Sequence, residues 1–188
     1  GTAAIGCAEG IRSIDKNAPI TIVSTEKHHV YCRPLISYYL EGKTDTERMK
    51  YRPDDFYEKN GCTVLYGKTA KAIDRKEKKV LLDDKKSIDY DELCLTTGST
   101  PVIPKIPGAD AIKNKFTFTT LDDALALEKA LTKESKVLIL GAGLICLKCA
   151  EGLYNKVSQI TVCDLADGIL SSILDTDSAA MVQKHLES

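Results

Sequence analysis

Apolar positions at the start of the chain recur at helical spacing. Ala4, Cys7 and Ala8, Ile11 and Ile14 fall on one side and predict an opening helix. Ile20-Thr-Ile-Val23 breaks that period; short, continuous and β-branched, it reads as a buried parallel strand. A loop rich in polar and aromatic groups covers 26–34. Residues 35–40 predict a short helix stopped by Gly42, and residues 54–59 a second one closed by Asn60-Gly61. A strand follows at 63–66. The pattern then changes: 70–74, 79–82 and 87–90 are short segments parted by Asp/Lys-rich turns, as in an antiparallel meander. Within it the charge run 74–79 reads as a solvated turn. Leu93-Cys-Leu-Thr-Thr97 looks like another buried strand, ending at Gly98.

Pro101, Pro104 and Pro107-Gly108 mark an irregular stretch that suits neither helix nor central strand. A domain boundary is expected shortly after it, dividing the chain into 1–115 and 116–188. Residues 116–119 predict a connecting strand, and 121–131 a helix with Asp122 and Asp123 in its first turn. A strand–turn–helix–strand unit follows, with strand 136–140, turn Gly141-Ala-Gly143, helix 144–153 and strand 159–163 closed by Asp164. Residues 178–186 predict a last helix.

Composition narrows the class. The 188 residues are 43% hydrophobic and 28% charged, enough for one medium domain or two small ones and too apolar for a disordered chain. The net charge of −1 lacks the basic excess of a nucleic-acid binder. No apolar run approaches the ~18 residues of a membrane span. Seven cysteines, odd in number and irregular in spacing, do not resemble a secreted disulfide framework. With no signal peptide in view, a cytoplasmic protein with reduced thiols is expected.

The chemistry concentrates at Gly141-Ala-Gly-Leu-Ile-Cys146, set between a strand and a helix. The first glycine permits a tight turn, and the second lets backbone approach a pyrophosphate. The N–H groups and dipole of the helix N-terminus then stabilise the anion. Asp164, at the end of the next strand, is placed to accept hydrogen bonds from an adenosine ribose. No arginine directly follows it, which favours NAD over NADP. The plainer reading is an ordinary βαβ turn without a ligand. Cys146 stands where a third glycine would allow close helix–strand packing. Cys146 and Cys149 also spell CxxC, but their place inside the turn-helix motif reads as buried small residues rather than a redox or metal pair.

The amino terminus repeats the theme. Gly1-Thr-Ala-Ala4 opens a helix with no strand before it, and 3–10 is similar to 144–152. Residues 1–23 then reproduce the βαβ pattern of 141–163 without the first strand. Two nucleotide-binding units imply two nucleotide cofactors.

These features together resemble the two-dinucleotide flavoproteins of the pyridine nucleotide-disulfide oxidoreductase family. Within it, the likeness is to the branch with NADH:rubredoxin reductases and the NADH module of assimilatory nitrite reductases. Besides the glycine turns, Tyr31-Cys-Arg-Pro-Leu-Ile-Ser-Tyr38 is similar to that branch's segment beside the flavin. Asp55-Phe-Tyr-Glu-Lys-Asn-Gly61, Thr96-Thr-Gly-Ser-Thr-Pro101 and Ile106-Pro-Gly108 match it in order.

The resemblance implies an α/β fragment with two Rossmann-like dinucleotide-binding domains and a small antiparallel β-meander. FAD would be held by 1–115. Gly1, Thr2, Ala3 and Ala4 would cradle its pyrophosphate, and Glu26 would reach the ribose. Arg33 and Pro34 would lie along the flavin nucleotide, and Ser37 near the ring. Ala70 would offer backbone groups to adenine, while Thr97 and Gly98 would pass close by. NAD(H) would be held by 116–188 through Gly141, Gly143, Leu144, Ile145 and Asp164. Lys148 stands where the family often has a glutamate near the nicotinamide.

The implied activity is hydride transfer from NADH to flavin and electron passage to rubredoxin, ferredoxin or an attached reductase module. The cofactors carry that chemistry, so no protein acid, base or metal ligand is assigned. Cys32 reads as a loop residue rather than a thiol shuttle, and His28 and His29 as surface groups. A nucleotide-binding scaffold without turnover, or a regulatory subunit of a larger redox complex, is the alternative. The family's first strand and its carboxy-terminal Gly-Asp return to the flavin have no counterpart in these 188 residues, and the oligomeric state stays open.

Overall fold

Helix α1 (Thr2–Ile14) opens the chain in the computed structural model, which describes residues 1–188. It buries Ala8 of the expected series together with Ile5, which lies outside that series, so the buried face is turned toward Ile5. Ile14 belongs to the same apolar series but lies at the last turn, 90% exposed. Contacts divide the chain into two units. One comprises 1–32 and 50–99; the other comprises 33–49 and 100–188.

In the first unit α1 leads to β1 (Ile20–Ser24), which pairs in parallel with β2 (Cys62–Tyr66), Ile20 opposite Cys62 and Ser24 opposite Tyr66. The short helix α3 (Phe56–Lys59) precedes β2 and supplies Phe56 to a core shared with Ile5 and Val30. Gly61, at φ +56, ends that helix in the left-handed region that glycine tolerates. Arg12 of α1 donates from Nε to Asn60 O at 2.7 Å, fixing the helix against this turn.

β3 (Ala70–Asp74), β4 (Lys79–Leu82) and β5 (Ser87–Asp89) form the expected antiparallel meander, with an irregularity between Ala70 and Ala72. Val80 and Leu82 of the central strand are buried. The charge run is a turn: Asp74 Oδ1 accepts the amides of Lys76 and Glu77 at 2.9 and 3.0 Å.

The segment 93–97 forms no strand. A continuous apolar strand needs neighbours on its edges and cover on its faces. The adjacent parallel sheet contains β1 and β2 alone, and Leu95 stays 66% exposed.

The second unit takes in a 3-10 turn (Arg33–Leu35) and α2 (Ile36–Glu41). Gly42, at φ +84, stops α2 as its position predicts. α4 (Leu121–Ala130) starts with a capping box: Thr120 accepts the Asp123 amide, and the Asp123 carboxylate accepts the Thr120 amide. That carboxylate also takes the Thr119 amide and the Thr117 and Thr119 hydroxyls. Those bonds explain why the strand expected at 116–119 is absent: its polar groups serve the cap rather than a ladder.

β6 (Lys136–Leu140), α5 (Leu144–Leu153) and β7 (Gln159–Cys163) have the predicted bounds. The two strands are parallel, Lys136 opposite Gln159 and Leu140 opposite Cys163. Ile139 is buried on one face of this pair, while Leu138 and Leu140 on the other are 62% and 51% exposed. α6 (Thr176–Glu187) starts two residues before its expected position, because Asp175 accepts the Ser178 amide as its cap. α2 packs on both α4 and α5. The α/β class and the two parallel strand pairs agree with the sequence. No helix is long and apolar enough to cross a membrane.

Candidate dinucleotide-binding site

The turn after β6 is shaped by backbone demands that only certain residues meet. Gly141 sits at φ +110, outside the range of most side chains. A Cβ there would also lie 3.0 Å from Cys146 Sγ. Its amide donates to Cys163 O at 2.7 Å, which ties the turn to the end of β7. Ala142 is buried and gripped at both ends: its amide donates to Asp164 Oδ2 at 2.6 Å, and its carbonyl accepts the Leu170 amide at 2.9 Å.

Gly143 then caps α5 without any side-chain cap, and a Cβ on it would meet nothing within 4 Å. The first turn of α5 carries no acidic residue. An uncapped helix start, approached over a bare glycine, suits a diphosphate by dipole and N–H supply. Leu144 and Ile145, 61% and 58% exposed, present apolar surface beside it. The structure therefore brings Gly141, Gly143, Leu144, Ile145 and Asp164 to one end of the β6–β7 pair.

Asp164 does more than end a strand. Oδ1 accepts the Ala166 amide at 2.8 Å while Oδ2 holds Ala142. The amides of Ala166 and Ala142 hold its carboxyl below the usual carboxylate range. The side chain is thus ionised and oriented, and a carboxylate has lone pairs beyond those two bonds for ribose hydroxyls.

Cys146 fills the third-glycine place by tucking inward. Its thiol donates to Leu140 O at 3.7 Å, and burial pushes its pKa up. Burial, with Cys146 as neighbour, pushes Cys149 up to about 12. Both are packing thiols rather than nucleophiles at neutral pH.

The first unit offers a second helix start. Gly1 caps α1 with no side-chain cap, its carbonyl accepts the Ala4 amide at 3.1 Å, and a Cβ on it would meet nothing within 4 Å. Thr2 and Ala3 are exposed, and no acid occupies the first turn. These residues fit a diphosphate on the same grounds as Gly143. Glu26, beyond β1, accepts from the Tyr31 hydroxyl at 2.5 Å, and its carbonyl accepts the Gly67 amide at 3.3 Å. Ala70 opens β3 at the irregularity, and Thr97 and Gly98 lie exposed in an extended segment, Gly98 at φ +69.

Arg33, Pro34 and Ser37 belong to the second unit. Arg33 and Pro34 are exposed, and Ser37 is 2% exposed with its hydroxyl donating to Pro34 O at 3.3 Å. Lys148 is committed locally: it pairs with Glu151, and its Nζ sits 4.6 Å above the Tyr38 ring.

Two features escape the sequence. The Tyr39 hydroxyl donates to Glu128 Oε2 at 3.1 Å, and Lys156 Nζ donates to Oε1 at 2.8 Å. No spacing links residues so far apart. His29, read as a surface group, instead packs against Tyr57 with ring centroids 5.0 Å apart and planes tilted by 57°, its Nε2 buried and without a hydrogen-bond partner.

Known proteins share this sequence and this fold. The chain is 32% identical over 182 residues to the epsilon subunit of an NADH-dependent phenylglyoxylate dehydrogenase from Aromatoleum evansii, covering 97% of this chain and 43% of that protein. It is 34% identical over 188 residues to an assimilatory nitrate reductase electron transfer subunit of Bacillus subtilis, covering 100% of this chain and 24% of that protein. The reductase in a covalent putidaredoxin reductase–putidaredoxin complex superimposes with a TM-score of 0.84 at 26% identity, over 97% of this chain and 44% of that one. The chain thus spans less than half the length of each. The pyridine nucleotide-disulphide oxidoreductase family profile matches residues 1–188. On that match along its whole length, the chain belongs to the pyridine nucleotide-disulphide oxidoreductases.

Proposed function

We propose that the chain is part of an NADH-dependent FAD oxidoreductase that passes electrons to a redox protein or an attached reductase module. The observation that carries this reading is the glycine turn at Gly141 and Gly143, with an uncapped α5 behind it and an oriented Asp164 beside it. NAD(H) is assigned to Gly141, Gly143, Leu144, Ile145 and Asp164 in 116–188. FAD is assigned to Gly1, Thr2, Ala3, Ala4, Glu26, Ala70, Thr97 and Gly98, with Arg33, Pro34 and Ser37, in 1–115. The named relatives support a protein-borne acceptor, since one is an electron transfer subunit and another is seen joined to its redox partner. Seven free thiols accord with a cytoplasmic setting.

The bound groups supply hydride transfer from NADH to the flavin N5 and onward electron passage. The chain's own residues bind and orient. The amides at the starts of α1 and α5 neutralise diphosphates. Asp164 recognises the adenosine ribose, and its charge disfavours a 2′-phosphate there. Leu144 and Ile145 give the remaining nucleotide an apolar surface that excludes water.

The test is anaerobic mixing of the purified flavoprotein with NADH. Rapid bleaching of the visible flavin band supports the enzyme. Nucleotide binding without bleaching identifies a non-catalytic scaffold instead, and absence of bound flavin overturns the reading.

A further inference from the structure

Residues 33–38, which the family likeness sets beside the flavin, belong to the unit that carries the Gly141 turn and are fastened within it. Arg33 Nη1 donates to Thr119 O at 2.9 Å, next to the residue that caps α4. Gly152 brings the backbone of α5 against α2: a Cβ there would stand 2.9 Å from Ser37 O and 3.0 Å from Leu40 Cβ. Tyr38 lies under the Lys148 ammonium, and Tyr39 reaches Glu128.

Glu128 is the shared point of this arrangement. It stands on α4, accepts from Tyr39 of α2, and accepts from Lys156 just beyond α5. Lys156 holds its carboxyl below the usual range, and burial followed by Glu128 raises the Tyr39 phenol. The carboxylate therefore stays ionised and the phenol protonated, the combination that gives a strong, directional hydrogen bond. α2 has six residues, too few to hold itself as a helix in water. Its apolar contact, with Leu40 and Leu153 at 0% exposure, supplies adhesion. Adhesion of that kind is non-directional. The bonds to Glu128 fix the rotation of α2, and rotation is what would move Ser37 and the turn at Arg33.

We propose that Glu128 is a positioning residue for hydride delivery: through Tyr39 and Lys156 it fixes α2, and so holds Arg33 and Ser37 in register with Gly143 and Leu144. This rests on the reading of the chain as part of an NADH-dependent flavoprotein. Lys148 serves the same end by its hold on Tyr38.

The test uses the flavin-loaded protein with Tyr39→Phe, Glu128→Gln and the double variant. Three quantities are read: flavin bleaching at saturating NADH, the dissociation constant of ADP-ribose, and the visible circular dichroism of the flavin. Bleaching is expected to slow by about tenfold or more, since small misplacements of reacting groups carry penalties of that order. ADP-ribose affinity is expected to stay within about twofold, because the diphosphate and ribose contacts are untouched. The flavin dichroism is expected to change, and the double variant to be no slower than the worse single one. Tyr39→Phe removes one hydroxyl and carries the test if Glu128→Gln does not fold. Unchanged bleaching overturns the proposal. So does a parallel loss of ADP-ribose affinity, which would make Glu128 a support of the nucleotide turn itself. Failure of the wild-type protein to bleach while still binding ADP-ribose overturns the functional reading instead.

Discussion

The carboxylate of Asp164 accepts the amide of Ala142 at 2.6 Å, so the acid at the end of β7 also shapes the glycine turn after β6. A residue expected only to meet the ribose is thereby part of the loop's own geometry. Asp164→Asn leaves a single acceptor for the amides of Ala142 and Ala166. NADH affinity is expected to fall about ten- to a hundredfold, the usual worth of a hydrogen bond to a charged group. Fluorescence titration with NADH checks it; an affinity within twofold of wild type would show that Asp164 neither shapes the turn nor meets the ribose.

Gly141 and Gly143 should respond oppositely to alanine. At Gly141 the backbone is at φ +110 and Cys146 Sγ is 3.0 Å from the new methyl. Gly141→Ala is expected to lower stability by about 1–3 kcal/mol. At Gly143 the methyl enters open space. Gly143→Ala should cost no more than the small loss of a poorer N-cap residue, yet bind NADH at least tenfold more weakly if that space takes the diphosphate as proposed. Thermal melts and NADH titrations on the two variants distinguish these outcomes.

Gly152→Ala places a methyl 2.9 Å from a backbone oxygen of α2, a neighbour that cannot swing aside. A loss of about 1–3 kcal/mol is expected from overpacking. Denaturant unfolding measures it. A neutral result would mean that α2 shifts freely on α5.

Asp123 gives the fold an acid-sensitive point. Burial raises its pKa, but the amides of Thr119 and Thr120 and the hydroxyls of Thr117 and Thr119 outweigh it and hold the carboxyl below its ordinary value. A depressed carboxyl stabilises the fold at pH above the unfolded value of about 3.9, and that stability is lost as pH falls through the lower folded value. Melting temperatures measured between about pH 5 and 2 should drop, and Asp123→Asn should flatten the drop while lowering stability at neutral pH by about 1 kcal/mol. An unchanged acid profile in Asp123→Asn would assign the transition to other groups.

Thiol labelling should be ordered by exposure. Cys94 and Cys163 are exposed, whereas Cys149 is buried with its thiol pushed up to about 12. Iodoacetamide at neutral pH is expected to modify Cys94 and Cys163 well before Cys149, as peptide mass mapping would reveal. Early modification of Cys149 would restore the redox reading of the CxxC.

Much of this architecture was legible because it is local. The β6–α5–β7 unit kept its predicted bounds, since strand period, bare turn and helix period agree over one short stretch. The Gly141 turn and Asp164 could be read together because one connection separates them. What depended on distant partners was not legible. Residues 93–97 carry a strand's composition and lack a ladder, and 116–119 give their donors to Asp123. The bond between Tyr39 and Glu128 has no linear signature. Nor does the assignment of Arg33 and Ser37 to the second unit, because helix packing is decided by shapes such as the gap at Gly152.

Each of the parallel sheets has two strands, so every strand in them keeps one margin of backbone donors and acceptors unmatched. Beside β6 that margin borders Leu138 and Leu140, which face solvent. Such a ribbon can enlist a strand from another molecule. The chain is therefore expected to self-associate through these margins as concentration rises, which light scattering measures.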